Sequence, residues 1–176
     1  PYHHYDRTDV VTIGRALSEL EFRWIEEPMD EYSVTSYEWL SDELDVPIMG
    51  AKSIDGNARA RAEWIKRGAS DAIRVHIDKC GGLTPALKAV TLCDAFGVRC
   101  EVTGSTAPTL QLLGVPHTGR YYERGTLHPF VDYDESTPWF DTPLDPLSDD
   151  GTVPIPGRPG LGYDVDWTYF DANRTA

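Results

Sequence analysis

The sequence is short of lysine, of cysteine and of long apolar runs. Four lysines (Lys52, Lys66, Lys79, Lys88) stand against twelve arginines, and 29 acidic residues leave a net charge of -13. A surface with that balance repels phosphate backbones, so nucleic acid is excluded as a partner. An acidic, lysine-poor surface fits a salt-rich cytoplasm, where screening removes the self-repulsion. The three cysteines, Cys80, Cys93 and Cys100, are odd in number and lack metal-like spacing. They read as buried apolar residues in a reducing compartment. No signal peptide is seen and no apolar run is long enough to span a bilayer, so the expected location is cytoplasmic, without a membrane partner. Hydrophobic content is 40% over 176 residues, enough for one domain with a real core. The chain begins at Pro1 without a methionine, so residues are expected before it.

What is present centres on Trp24-Ile25-Glu26-Glu27-Pro28. Phe22 to Ile25 reads as a buried strand that runs into two carboxylates. Pro28 cannot donate to a ladder and ends it. Carboxylates at such a position need a cation or donors if buried, and in an α/β barrel the C-terminal strand ends face the active site. The alternative is a solvated Glu pair at a strand-to-loop junction.

Around this stretch the chain alternates. Residues 1–7 read as a loop, and Thr8 as the cap of a helix with Val10, Ile13, Leu17 and Leu20 on one face. Thr35-Ser36-Tyr37-Glu38 has the form of a capping box, opening a helix that carries Tyr37, Leu40 and Leu44. Val46 to Met49 is a second apolar run. Asp55 to Arg67 is helical, with Ala58, Ala62 and Ile65 inward and Gly68 as its stop. Ala72 to Ile77 is a third strand, followed by a Gly81-Gly82 turn. Thr84 caps the next helix, with Pro85 at its first position and Gly97 just beyond it. Val98 to Val102 is a fourth strand. A short helix, Pro108 to Leu113, precedes a fifth strand at Tyr121-Tyr122.

Strand starts near 22, 46, 72, 98 and 120, with helices between, mean βαβ units and a parallel sheet. The even spacing favours part of a barrel over a doubly wound sheet. Seven of the thirteen prolines fall between Pro129 and Pro159, so residues 126–176 are expected to form an extended tail packed on a 1–125 barrel part.

The order Trp24-Ile25-Glu26-Glu27-Pro28, Gly81-Gly82-Leu83-Thr84-Pro85, Tyr122-Glu123-Arg124-Gly125 and Pro159-Gly160-Leu161-Gly162 resembles the enolase superfamily. Within it, the mandelate racemase and muconate lactonizing group is nearest, and there the acid-sugar dehydratases. Pro1-Tyr2-His3-His4-Tyr5 and Leu127-His128-Pro129-Phe130 look like that branch too. The resemblance implies an α/β fold, the C-terminal part (about five βα units) of a modified (β/α)7β TIM barrel with a Pro-rich tail. It implies a small sugar acid as the substrate of an active member. It also implies Mg²⁺ chemistry, in which the ion stabilises the enediolate formed by proton abstraction next to a carboxylate.

Carried over by residue, Glu26 matches the second metal ligand. The first ligand, an Asp, would stand before Pro1. The third falls at Lys52, four residues before Gly56. The base of the seventh barrel strand, usually His, falls at Thr103. A carboxylate that orients that His in some relatives falls at His76. The strand-eight acid matches Glu123, which could instead pair with Arg124 or Arg120. His3 and His4 could touch a sugar acid or form a solvated loop pair. His76, His117 and His128 show no ligand spacing, and Asp149 and Asp150 read as solvated tail charges. Lys52 is cationic where a ligand is anionic, and Thr103 lacks basicity at neutral pH. The resemblance therefore implies the fold, a Lys52–Glu26 ion pair, no bound Mg²⁺ and a catalytically degenerate barrel fragment. The alternative is an active dehydratase once the missing N-terminal part is supplied. A partial barrel leaves open edges, so the expected partners are further copies of the chain or the complementary barrel half.

Overall fold

The computed structural model of the chain describes residues 1–54, 56–115, 119, 121–124, 130 and 137–175. Helix α1 (Arg7–Glu19) is followed by strand β1 (Ile25–Glu26), α2 (Val34–Glu43), β2 (Ile48–Gly50), α3 (Ala58–Lys66) and β3 (Ala72–His76). Then come α4 (Ile77–Cys80), α5 (Leu83–Phe96), β4 (Arg99–Thr103), α6 (Ala107–Leu113) and, near the C-terminus, α7 (Trp167–Asn173). The strands form one parallel sheet in the order β1-β2-β3-β4. Each strand lies beside the next in sequence. Among the described residues there is thus no topological switch point of a doubly wound sheet, and the arrangement is that of successive barrel units.

The register sorts the side chains onto two faces. Glu26 pairs with Met49, Met49 with Ala72, Arg74 with Glu101 and His76 with Thr103. Alternation puts Ile25, Ile48, Ile73, Val75, Cys100 and Val102 on the opposite face. Those six belong to the apolar core, packed with Tyr37, Leu40, Trp64, Ala86, Ala89, Val90 and Cys93 of the helices. The other face carries Glu26, Arg74, His76, Glu101 and Thr103. It is the barrel's interior face, and at its N-terminal end Arg99 donates to Glu101 from Nε at 2.7 Å. Arg99 also lies 5.3 Å over the Trp24 ring.

The helix starts differ from those expected. Asp6 caps α1 by accepting from the Thr8 and Asp9 amides, so Thr8 lies inside the helix. Ser33 caps α2, not Thr35. Asp and Ser are at least as good N-caps as Thr, and both stand earlier in the chain. In α3 the buried residues are Arg61 and Trp64, while Ala58, Ala62 and Ile65 are half-buried. Helix α5 begins one residue before Thr84 with no side-chain cap, and ends as expected at left-handed Gly97. Leu20 is exposed at the end of α1.

β1 is shorter than expected and lies later, because Phe22 is exposed and only Ile25 of the run is buried. No strand forms at Tyr121-Tyr122. Tyr121 instead stacks obliquely on Trp24 at 6.2 Å, and Tyr122 donates from its hydroxyl to Asp145 at 2.8 Å. Residues 1–7 are more than a loop, since the His3 and Tyr5 amides donate to the carbonyls of Glu27 and Pro28. The tail lies against α6, where Gln111 donates to the carbonyls of Pro156 and Leu161. The expected 125/126 boundary, His117, His128 and Arg120 lie outside the described residues. Among the described residues no helix is long and apolar enough to cross a membrane.

Gly50 ends β2 where no side chain fits. A Cβ there would lie 2.9 Å from Trp64 Cζ3 and 3.1 Å from Glu31 Oε1. Gly50→Ala is expected to lower stability by about 1–3 kcal/mol through overpacking. Urea unfolding checks this through the midpoint, at an unchanged slope.

Candidate functional site at the strand ends

Glu26 closes β1, His76 closes β3 and Thr103 closes β4, while Lys52 stands two residues past β2. These strands bring together an alternating row of charges. Lys52 Nζ lies 3.2 Å from Glu26 Oε1 and 2.6 Å from Glu27 Oε2. Arg74 Nε lies 3.4 Å from the same Glu26 oxygen, and its Nη2 donates to Glu123 Oε2 at 3.0 Å. The Thr103 hydroxyl also donates to Glu123, as does the Gly104 amide at 3.4 Å. The row thus reads Glu27, Lys52, Glu26, Arg74, Glu123, with sign changing at every step.

A second layer lies behind Lys52. Glu27 is 1% exposed and Glu31 is 3% exposed. His3 Nε2 is 3.2 Å from Glu27 Oε1, and the Ser53 hydroxyl donates to that oxygen at 2.8 Å. Glu31 accepts from the Ser53 amide at 2.6 Å and from the Ala51 amide. His3, Glu27 and Glu31 bring one potential ligand atom each within 4.8 Å of one another. Lys52 already supplies the compensating positive charge there.

Protonation follows from this packing. Burial works to lower the Lys52 ammonium, but the hydrogen bond and charge of Glu27, then of Glu26, outweigh it and raise it. Burial would raise Glu123, yet the Thr103 hydroxyl, Arg74 and the Gly104 amide together hold its carboxyl below the usual range. Glu27 is likewise opposed by burial and lowered overall by Lys52, Glu31 and Ser53.

The backbone is strained at the same place. Tyr2, His3, Glu27 and Ala51 have φ values of 55°, 63°, 43° and 65°, a region that side chains with a Cβ rarely occupy. Of the non-glycine residues with positive φ, just Glu21 lies away from this site among the described residues. Such strain persists where surrounding contacts over-determine it, and it clusters at functional sites.

The structure brings together Glu26, Lys52, Thr103 and Glu123 as their strand positions imply. It corrects two expectations. Glu123 pairs with Arg74, not with Arg124, which engages Asp145. His3 turns to Glu27, and neither His3 nor His4 lines the cleft beside the row. Asp150 is exposed and accepts from Thr152. Sequence reasoning missed Glu27 as a buried partner, Glu31 and Arg74.

A segment of parallel β/α units with charged side chains gathered at the strands' C-terminal ends has the architecture of part of an α/β barrel. The chain belongs to the enolase C-terminal domain-like family, whose profile matches residues 1–169. It is similar to the crystal structure of D-glucarate dehydratase from Agrobacterium tumefaciens complexed with magnesium. That likeness has 48% identity and a TM-score of 0.93, over 99% of this chain and 45% of that one. It is 28% identical over 160 residues to L-talarate/galactarate dehydratase of Salmonella typhimurium, covering 90% of this chain and 37% of the relative. A hydrophobic dipeptide epimerase of Enterococcus faecalis matches at 27% over 94 residues, 53% of this chain and 26% of the relative. The chain therefore spans less than half the length of these relatives. The fold class expected from the sequence, part of an enolase-type barrel, is the one observed.

Proposed function

We propose that this chain is the C-terminal barrel half of an acid-sugar dehydratase-like protein in which an internal ion pair takes the metal's place. By itself, on this reading, it carries out no Mg²⁺-dependent proton abstraction. The supporting observation is the Lys52 ammonium, 3.2 Å from Glu26 and 2.6 Å from Glu27.

The donor set does not fit Mg²⁺. Two unit charges about 4 Å apart interact by roughly 4 kcal/mol at an effective dielectric of about 20, so a divalent ion facing Lys52 is repelled by about twice that. Arg74 adds a second cation beside the same Glu26 oxygen. Mg²⁺ releases its waters reluctantly, and the two carboxylates beside Lys52, Glu26 and Glu27, are already engaged by cations. The proton-transfer positions agree with this. The Thr103 hydroxyl is engaged with Glu123, and Glu123 is held as a carboxylate, whereas a general acid needs a raised pKa.

A second reading, an active dehydratase once the N-terminal strands are supplied, draws on the 48% identity to D-glucarate dehydratase. Assaying the chain with Mg²⁺ on D-glucarate, galactarate and L-talarate, alone and mixed with the N-terminal part of a dehydratase relative, separates the two. No dehydrated keto-acid product is expected from this chain in either sample. Turnover above the buffer rate would overturn the ion-pair reading and favour the second.

A further inference from the structure

All three cysteines are buried free thiols, and none belongs to the charged row at the strand ends. Two of them meet across the turn between α5 and β4. Helix α5 turns Ala86, Ala89, Val90 and Cys93 to the core, one stripe at helical spacing. Gly97 then takes the left-handed conformation that ends the helix, and the Val98 amide donates to the Cys93 carbonyl at 2.9 Å. The chain reverses, and alternation along β4 points Cys100 at the same core. Cys93 is thus the last core residue of the helix, and Cys100 the first buried residue of the strand. Their thiols are in hydrogen-bonding contact, the Cys100 S–H donating to Cys93. The two residues are 0% and 1% exposed.

A buried cation acts on this pair. Arg61, in α3, is fully buried. Among the described residues all its hydrogen bonds go to backbone carbonyls, those of Gly56 at 2.7 Å, Asn57 at 3.4 Å and Lys52 at 3.4 Å. Its Nε is buried without a partner. A buried charge calls for an opposite one, and here thiols stand where a carboxylate would. The Cys100 S–H foremost, and then the Arg61 charge, hold the Cys93 thiol below its ordinary range against burial. Cys100 is pushed up by the bond it shares with Cys93 and by burial, and Cys80 is pushed up by burial. Burial alone leaves a thiol inert, and of the three only Cys93 is turned towards the thiolate, the form that reacts.

We propose that Cys93 and Cys100 form a redox pair that hydrogen peroxide closes to a disulfide, with Cys93 as the nucleophile and Cys100 as the resolving thiol. The Cys93 thiolate attacks one peroxide oxygen. An S–O bond forms, the O–O bond breaks, and the departing hydroxide takes up the proton that Cys93 had released. The Cys100 sulfur then attacks the sulfur of the Cys93 sulfenic acid. An S–S bond forms, the S–O bond breaks, and the hydroxide leaves with the Cys100 proton as water. Two electrons pass from the thiols to the peroxide, which ends as two waters. Hydrogen peroxide is small and uncharged, and β4 is an outer strand of the four-stranded sheet, so local opening of its first residues admits the oxidant.

Incubating the folded 176-residue chain with millimolar hydrogen peroxide, alkylating it in denaturant and mapping its peptides by mass spectrometry tests this. Trypsin cuts after Arg99, between the two cysteines. A linked Cys93–Cys100 peptide pair, lighter by two hydrogens and separated by dithiothreitol, is expected, with Cys80 left alkylated. Cys100→Ser should leave Cys93 as a sulfenic acid that dimedone captures, whereas Cys93→Ser should give no dimedone adduct at Cys100. Arg61→Met should slow the linkage by about tenfold, and Arg61→Lys, which keeps the charge, should slow it less. Cys93 and Cys100 that both stay alkylatable in the folded parent chain overturn the proposal, and so does a linkage through Cys80. A linkage that forms only in urea overturns it too, since it then belongs to the unfolded chain. The pair lies on the core face of the sheet, away from Glu26 and Lys52, so each of these outcomes leaves the ion-pair reading where it stands.

Discussion

Replacing Lys52 by methionine is expected to cost about 3–5 kcal/mol of stability at neutral pH, the range for breaking a buried ion pair from one side. The ammonium has 17% side-chain exposure, and Glu27, its 2.6 Å partner, has 1%. Without it, Glu26 and Glu27 face each other across the β1 end, and Arg74 is left to compensate Glu26 alone. Exposed pairs behave differently, contributing about 0–1 kcal/mol. Arg158 with Asp164 is of that kind, at 64% and 54% exposure, and Arg158→Met serves as the control. Urea unfolding followed by circular dichroism distinguishes the two. Adding Glu27→Gln to Lys52→Met should recover part of the loss, because the uncompensated charge is then removed. A loss below about 1 kcal/mol for Lys52→Met would mean that the pair is solvated like a surface one.

Stability is also expected to fall as the pH rises from about 4.5 towards 8, and Glu31→Gln should flatten that decline. Burial, and next the Glu27 charge, push the Glu31 carboxyl up to about 8, against the pull of the Ser53 and Ala51 amides. An acid whose folded value is raised binds its proton more tightly in the folded state. Its contribution is complete below the unfolded value of 4.5 and is lost as the pH climbs through the folded value. Glu27 has the opposite sign, since its carboxyl is lowered and its contribution fades as the pH falls. The pair therefore holds one proton between them, on Glu31, and titrates jointly. A tenfold change in proton affinity corresponds to about 1.4 kcal/mol, so the decline should amount to a few kcal/mol. Thermal or urea unfolding at a series of pH values reads it. Equal slopes for the parent and Glu31→Gln would place the titration elsewhere.

Much of this arrangement was legible in the residues. The strand rhythm placed β1 to β4 within a few positions, because apolar runs bounded by Pro and Gly mark buried parallel strands. Lys52 beside Glu26 followed from the register that the family resemblance implies, which puts both at metal-ligand positions of successive strands. Arg74 could have been found the same way. A lone charge inside the apolar run Ala72 to Ile77 must point to a polar interior, and here it links Glu26 to Glu123. Glu31 gave no such signal. Its burial depends on amides of the turn after β2, a contact between segments that spacing does not encode. Tyr121-Tyr122 had the composition of a strand, but their side chains are engaged with Trp24 and Asp145 in place of a ladder. Thr8 and Thr35 are capable caps that lost to Asp6 and Ser33, which accept from the Thr8 and Asp9 amides and from the Ser36 amide and so start each helix two residues earlier. The strain at Tyr2, Glu27 and Ala51 was invisible, since nothing in those residue types asks for a left-handed backbone.

The most direct measurement is calorimetric titration of the chain with Mg²⁺, alongside Lys52→Glu and Glu26→Gln. If the Lys52 ammonium fills the metal's place, the unsubstituted chain shows no micromolar binding. Lys52→Glu then gains affinity, because an oxygen ligand replaces the cation 3.2 Å from Glu26. Micromolar Mg²⁺ binding by the unsubstituted chain, abolished by Glu26→Gln, would contradict this.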